Sequence, residues 1–332
     1  MKISVAIATY NGEKYIIEEL NSILNQTYQV DEVIINDDVS SDYTYDLVSR
    51  FIEEHQLTHW KIYRNSINLG HSKNFFDAIS KTTGDIIFIA DQDDLWPKNK
   101  VELMVERFLK NPNLKAVATE FEFIDANSNK MDAPKGVPNS ICKLDGSIQK
   151  VKPLDNVISS YIRGCTTAVK RDVVEYIIKD KLYEMCSNNL LGHDWLIWML
   201  ASLFGDAEIL ALPLLKYRFH DTNTSLEAVR RKTLLGSIQK RINGLQKSIE
   251  VHSYLRKKKD NFINYSENLD IYISNAIQFE TKRLKVLKTG NIFTYFSLLF
   301  KLNYYKRYYR DFKRGVKVYI ADMLYYLNRK KT

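Results

Sequence analysis

The feature that most constrains this chain is an alternation. KISVAIAT at residues 2–9, DEVIIN at 31–36, WKIYR at 60–64 and DIIFIA at 85–90 are short, apolar and rich in β-branched residues, the pattern of buried strands. Between the first two, residues 13–26 place Ile16, Ile17, Leu20, Ile23 and Leu24 at helical spacing. Residues 43–54 and 72–80 read as two further helices. The order βαβαβαβ implies a parallel, right-handed, doubly wound sheet with helices on its faces. In such a sheet ligands bind outside the carboxyl ends of the strands, so the residues that follow each run carry the functional information.

Two of the runs end in acid. Asp37-Asp38 follows the second, and Asp91-Gln92-Asp93-Asp94 follows the fourth, before Pro97 opens a helical segment at 98–110. Like charges this close raise one another's pKa unless a cation or hydrogen-bond donors offset them. A hard divalent ion with oxygen ligands, Mg²⁺ or Mn²⁺, shared with a substrate phosphate would account for the triplet. The competing reading is turn chemistry: Asp94 alone could cap the next helix, and Asp37-Asp38 could simply close a turn.

Further on, 115–124 reads as a strand, and 126–149, with Pro134, Gly136, Pro138 and Gly146, as a mobile loop. A short helix is expected near 153–161 and a strand over 162–172, entered through Gly164. Residues 192–203 read as a helix with His193 and Asp194 in its first turn. Strands at 207–212 and 214–219 lead to His220-Asp221.

The 332 residues, 45% of them hydrophobic, suffice for one large domain with an appendage or for two domains. Cys142, Cys165 and Cys186 show no metal spacing and read as buried thiols of a reducing compartment. Met1-Lys2 leads directly into the first strand and no apolar run nears bilayer length, so no signal peptide or span is expected and the chain is expected to stay in the cytoplasm. The net charge of +8 is split: residues 226–332 hold 24 Lys and Arg against 8 Asp and Glu, a net +16, which leaves −8 for residues 1–225. Two functional parts follow, the basic one suited to an anionic surface.

With these pieces in order, the sequence resembles family 2 glycosyltransferases of the GT-A fold, in particular their bacterial rhamnosyltransferase-type branch. The motifs that carry the resemblance are VAIATYNGEKYI at 5–16, INDDVSSD at 35–42, NLGHSKNFFDAI at 68–79 and ADQDDLW at 90–96. RGCTTAVKRD at 163–172, GHDWLIWMLA at 192–201 and YRFHDTNTS at 217–225 complete the set, which covers about the first 225 residues. One departure stands out: Val39 occupies the place of the glycine in the family's Asp-Asp-Gly-Ser turn. If that turn needs a positive φ, valine there is strained, or the turn is shaped differently.

The resemblance implies a nucleotide-sugar donor, dTDP- or UDP-linked, bound with Mg²⁺ or Mn²⁺. Asp93 is the first choice of metal ligand, with Asp91 sharing the ion or meeting the ribose, and His220 as a further ligand or phosphate donor. Asp94 would hold the donor sugar if it does not merely cap the helix. Asp37 would accept a hydrogen bond from the base with Asp38 behind it, while Thr9 and Tyr10 meet base and ribose. Lys73 is a candidate phosphate contact and Arg218 a clamp on the diphosphate; for both, an exposed, solvated side chain is the alternative. Gly164, Cys165 and Thr166 would shape the sugar pocket, with no nucleophilic role for Cys165 because an inverting transfer needs no covalent step. Asp194 would be the base that deprotonates the acceptor hydroxyl, and His193 a packed neighbour.

The expected architecture is thus a catalytic part over 1–225 and a basic, aromatic-rich helical part over 226–332. The latter suits the inner surface of an anionic membrane, with helical packing on the sheet or a homodimer surface as alternatives. The acidic catalytic part argues against nucleic acid. The function implied is transfer of a hexose, L-rhamnose being one candidate, onto a lipid-linked saccharide in bacterial surface polysaccharide synthesis. A nucleotidyltransferase fits less well, because ATYNGEKYI lacks a glycine-rich basic loop. A non-catalytic sugar-binding scaffold is permitted by Val39 but not favoured by the intact Asp91, Asp93 and Asp194.

Overall fold

The computed structural model describes residues 1–134, 137, 140–158, 160–186, 192–221, 223, 238–289, 292–301, 316–320 and 322. The chain divides into two compact units: Met1–Lys152, Tyr161–Asn188 and Gly192–Asp221 form one, and Pro153–Ser160, Asn189–Leu191 and Thr222–Thr332 the other. In this division Pro153–Ser160 joins the C-terminal unit.

The first unit is built on a sheet with nine strands among the described residues. In chain order these are β1 (Ile3–Thr9), β2 (Glu32–Asp37), β3 (Trp60–Arg64), β4 (Ile86–Ala90), β5 (Leu114–Ile124), β6 (Lys130–Met131), β7 (Ile148–Lys150), β8 (Thr167–Lys170) and β9 (Asp206–Arg218). Their order across the sheet is β3-β2-β1-β4-β8-β5-β9-β7, with β6 paired to β5. The first four run parallel, as do β5 and β9, whereas β8 runs antiparallel between β4 and β5.

The strand residues split by parity. Ile3, Val5, Ile7, Val33, Ile35, Ile86, Phe88 and Ala90 join one core with Leu20 and Ile23 of α1 (Ile16–Leu24), Phe51 of α2 (Thr44–Glu54) and Met104 and Phe108 of α4 (Lys100–Lys110). A period of two is what a strand dictates, and burial of both faces explains why these strands read as unbroken apolar runs. On the other face α3 (His71–Ser80) packs on β1 and β2, and α7 (His193–Phe204) on β5 and β9.

Several boundaries differ from the expectations. The run at 162–172 is a 3₁₀ turn (Gly164–Thr166), the short β8, and then a helix, α6 (Arg171–Lys179), whose buried Val173, Val174 and Ile177 lie at helical spacing. The two strands expected at 207–219 are one, with a bulge in its pairing to β5 at Pro213, which has no N–H to give the ladder. The segment at 126–149 is tied down in its described parts. β6 and β7 pair with their neighbours, and the buried Glu120 accepts from the N–H groups of Ile141 (2.7 Å) and Cys142.

In the second unit α8 (Ile238–Lys257) packs against α9 (Glu267–Thr289), and the short α5 (Pro153–Asn156) lies on α9. The fully buried His252 joins them, with Nδ1 3.0 Å from Glu280 Oε2 and Nε2 2.9 Å from the Val157 carbonyl. Burial disfavours the charged imidazole, but the Glu280 carboxylate outweighs it and holds the His252 pKa above its usual value. Arg283 and Arg241 converge on Asp322 at 2.6 and 2.7 Å. α10 (Ile292–Ser297) closes a small core of Phe279, Val286, Tyr295, Leu298 and Tyr319. No helix among the described residues is long and apolar enough to cross a membrane.

Candidate active site

The register of the parallel strands brings the two acidic turns together. Thr9 at the end of β1 pairs with Asp37 of β2, and Ile7 with Ala90 of β4, so Asp37-Asp38 and the 91–94 turn leave the same edge on either side of β1. The link to β1 is direct: Gln92 Oε1 accepts from the Tyr10 N–H at 2.9 Å, and its Nε2 donates to the Tyr10 carbonyl at 3.1 Å. Gly12 makes room for that side chain, since a Cβ there would lie 2.3 Å from Gln92 Oε1. The Tyr10 ring stays half-exposed at the mouth of the crevice.

Asp37 and Asp38 are both buried and hydrogen-bonded. Asp37 accepts from the Ser40 N–H (3.0 Å) and hydroxyl and lies 3.4 Å from Arg64 Nε. Asp38 accepts from the N–H groups of Leu69 (2.7 Å) and Gly70 (2.8 Å) and from Asn65 Nδ2 (2.8 Å), which ties the start of α3 to the turn. As folded, the Asp37 carboxylate serves the turn. Val39, between Asp38 and Ser40, has φ 63°. The turn keeps the left-handed backbone although its side chain is β-branched, at a cost of about 1–3 kcal/mol.

The 91–94 turn is different. Asp93 Oδ2 lies 2.8 Å from His220 Nε2, and Asp91 Oδ1 lies 3.8 Å from His71 Nε2. Burial pushes the Asp91 carboxyl up, but the neighbouring His71, then His193, outweigh it and leave the pKa lowered. Asp93 stays raised through burial and the Asp91 charge, despite His220. Asp94 is fully buried; Oδ1 accepts from the Arg218 N–H at 2.9 Å, and Oδ2 has no hydrogen-bond partner among the described residues. Burial, then Asp93 and Asp91, push Asp94 well above the carboxylate range. It does not cap α4, which starts at Lys100.

Behind the turn sits a buried group whose sequence context gives no sign of a role. Lys100 Nζ donates to the Cys165 carbonyl at 2.8 Å and lies 3.9 Å from the Trp96 ring centre. Burial draws its pKa down to about 8, opposed by Cys165, Glu19 and Asp94. Glu19, equally buried, is raised well above its usual range by burial and by Asp94. A lysine and a glutamate at helical positions give no sequence signal of burial.

Across the crevice, Asp194 lies in the first turn of α7, its Oδ1 accepting from the Trp195 N–H at 2.7 Å. Burial raises its pKa, Asp91 adds to the rise, and His71 opposes it. His71 links the two sides: it pairs with Asp91, and its ring centre is 5.1 Å from that of His193. His193 is buried, stacked on Phe75 at 4.3 Å, with neither ring nitrogen hydrogen-bonded among the described residues. Burial and His71 lower its pKa to about 3, so the ring is neutral. A Cβ on Gly164 would lie 2.5 Å from His193 Nε2, which is why the 3₁₀ turn begins with glycine.

These elements have known counterparts. The sequence profile of glycosyl transferase family 2 matches residues 4–177. The chain belongs to that family. A dTDP-rhamnosyl transferase, RfbG of Shigella flexneri, is 28% identical over 233 residues, 65% of this chain and 72% of that protein. The Escherichia coli UDP-Glc:alpha-D-GlcNAc-diphosphoundecaprenol beta-1,3-glucosyltransferase WfgD is 31% identical over 137 residues, 41% of this chain and 52% of that one. Across such relatives the matched segment spans from 40% to 72% of their length. The crystal structure of S. aureus TarS 1-349 in complex with UDP-GlcNAc has the same fold, with a TM-score of 0.56 at 19% identity, covering 99% of this chain and 92% of that one. The fold is the GT-A arrangement that family 2 implied.

Within this family 2 frame one expectation needs correction. Arg218 was expected to clamp the diphosphate or to lie solvated on the surface, and it does neither. Its side chain is 0% exposed, with Nε donating to the Asp93 carbonyl (2.7 Å), Nη1 to Ser128 Oγ (2.8 Å) and Nη2 to Glu18 Oε2 (2.8 Å), and the guanidinium over Tyr15. It holds the acidic turn against β9, beside the two-way backbone pairing of Leu95 with Lys216. Lys73 lies exposed on α3, and no contact of it with the acidic turn accompanies that exposure among the described residues. Of the YRFHDTNTS motif, residues 222 and 224–225 lie outside the described residues.

The groups at hand fit a hard divalent cation. Asp91, Asp93 and His220 keep some exposure and offer oxygen and nitrogen ligands; burial, then the Asp91 charge, raises the Asp93 pKa, and a cation would offset the second of these. Ligand atoms of Asp91, Asp94 and Cys165 also lie within 4.8 Å of one another. That set suits Mg²⁺ or Mn²⁺ less, because the Cys165 thiol is a soft ligand and burial raises its pKa and that of Asp94 well above their usual values.

Proposed function

We propose that this protein transfers a hexose from a nucleotide-diphosphate donor to a saccharide hydroxyl with inversion at the anomeric carbon. The observation that carries the reading is the grouping of Asp91, Asp93 and His220 at the carboxyl edge of the sheet with a carboxylate, Asp194, in the first turn of α7, on whose charge both His71 and Asp91 act. Asp194 takes the proton of the acceptor hydroxyl as its oxygen bonds to the anomeric carbon. The bond from that carbon to the phosphate oxygen breaks, and its electron pair leaves with the diphosphate. A divalent cation held by Asp93, Asp91 and His220 would supply charge compensation for that leaving group. Burial raises the Asp194 pKa, which makes its carboxylate a stronger proton acceptor. The exposed Tyr10 ring and the Thr9–Asp37 edge are where the nucleoside would rest.

The names of RfbG and WfgD support a dTDP- or UDP-linked donor, with L-rhamnose as first candidate and a lipid-linked saccharide as acceptor. The test is a donor screen: purified chain with Mg²⁺ or Mn²⁺, a panel of UDP-, dTDP- and GDP-sugars, and nucleoside diphosphate release measured with and without chelator. Release from one donor that disappears with chelator is the expected result. No release from any donor, with lipid-linked acceptors added, overturns the proposal.

A further inference from the structure

Among the described residues, the second unit carries exposed apolar side chains that its core does not take in. In residues 292–301, Tyr295 and Leu298 turn inward to Phe279 and Val286, while the side chains between them turn out. Phe293 is 83% exposed and Phe300 91%, with Phe296 and Leu299 also exposed. Four large apolar side chains within eight residues make a contiguous patch of the kind that marks an interaction site. Its setting is cationic. Residues 281–310 contain eight Lys and Arg and no Asp or Glu. Lys282 and Lys285, one helical turn apart on α9, are both exposed.

We propose that Phe293, Phe296, Leu299 and Phe300 dock this unit on an anionic lipid bilayer, with Lys282 and Lys285 against the headgroups. Aromatic and aliphatic side chains enter the boundary between headgroups and acyl chains, and the lysines meet lipid phosphates at its surface. Charge decides against a second copy as the occupant: joining two such faces would bring together two segments that each lack any acid between residues 281 and 310. The docking face is independent of the transfer chemistry, so donor cleavage in solution serves as a control.

The experiment is co-sedimentation of the full chain with vesicles of phosphatidylcholine alone or with about one-third phosphatidylglycerol, at two salt concentrations. Binding to the anionic vesicles only is expected. Phe293→Ser with Phe300→Ser should weaken it by about a hundredfold, roughly tenfold per phenylalanine. Lys282→Gln with Lys285→Gln should weaken it by about tenfold and flatten its salt dependence. Thermal melts and donor cleavage should not change, because all four side chains are exposed. Absence of vesicle binding, or a phenylalanine double variant that binds as tightly as the parent, overturns the proposal. So does unchanged vesicle binding with a loss of self-association or of single-stranded nucleic acid binding, since the face would then belong to that partner.

Discussion

Two acidic turns end the strands on either side of β1, yet they do opposite work. At the end of β2, Asp37 and Asp38 are met by backbone N–H groups, the Ser40 hydroxyl, Asn65 and Arg64. At the end of β4, Asp91, Asp93 and Asp94 have two histidines and one N–H, and burial with the neighbouring carboxylates raises Asp93 and, well beyond it, Asp94. The same residue type therefore stabilises the fold where donors converge and stores repulsion where they do not. That repulsion is what a cation and a diphosphate-bearing substrate can use.

The contrast can be broken by mutation. Asp93→Asn should lower transfer by roughly a thousandfold or more, while the melting temperature stays level or rises because like charge is removed. Asp194→Asn should lower kcat by about 10²–10⁴-fold with the fold intact. An unfolded Asp93→Asn protein, or one as active as the parent, would erase the distinction between the turns. Asp38→Ala should do the reverse, costing about 3 kcal/mol in urea melts by leaving the Leu69 and Gly70 N–H groups without their acceptor.

A smaller effect comes from His193 on the far side. Its pKa falls from 6.5 unfolded to about 3 folded, so between these values the unfolded chain binds the extra proton. Stability is then full above pH 6.5 and falls by about 1.4 kcal/mol per pH unit on acidification. The raised pKa of His71 works in the opposite sense, adding stability at low pH that is lost as pH rises through its folded value. Melts at pH 7, 6 and 5 should show a shallower acid slope in His193→Phe than in the parent. The smallest effect expected is at Val39, where glycine should relieve the φ of 63° and raise stability by about 1 kcal/mol, with donor affinity as the second readout.

Much of this architecture is legible in the amino-acid sequence. The parallel half of the sheet follows from the β-branched runs and the helical spacing between them, and the 91–94 turn from three acids after a buried strand. The helix at 171–179 carries its own signal in Val173, Val174 and Ile177, which the strand-like 162–170 obscures. Arg218 and Lys100 carry none, since nothing in the letters around a cation says whether water or protein will surround it.

What the sequence by itself determined is the set of elements and the identity of the acids, because periodicity and composition are local properties of the chain. Tertiary structure alone decided which acids are paired, that Val39 holds a left-handed turn, that β8 runs against its neighbours, and that Arg218 braces the site from inside. Those outcomes depend on partners distant in sequence, 31 residues for Asp38 with Leu69 and 125 for Arg218 with Asp93, and burial and charge at a site are sums over such partners that no local pattern contains.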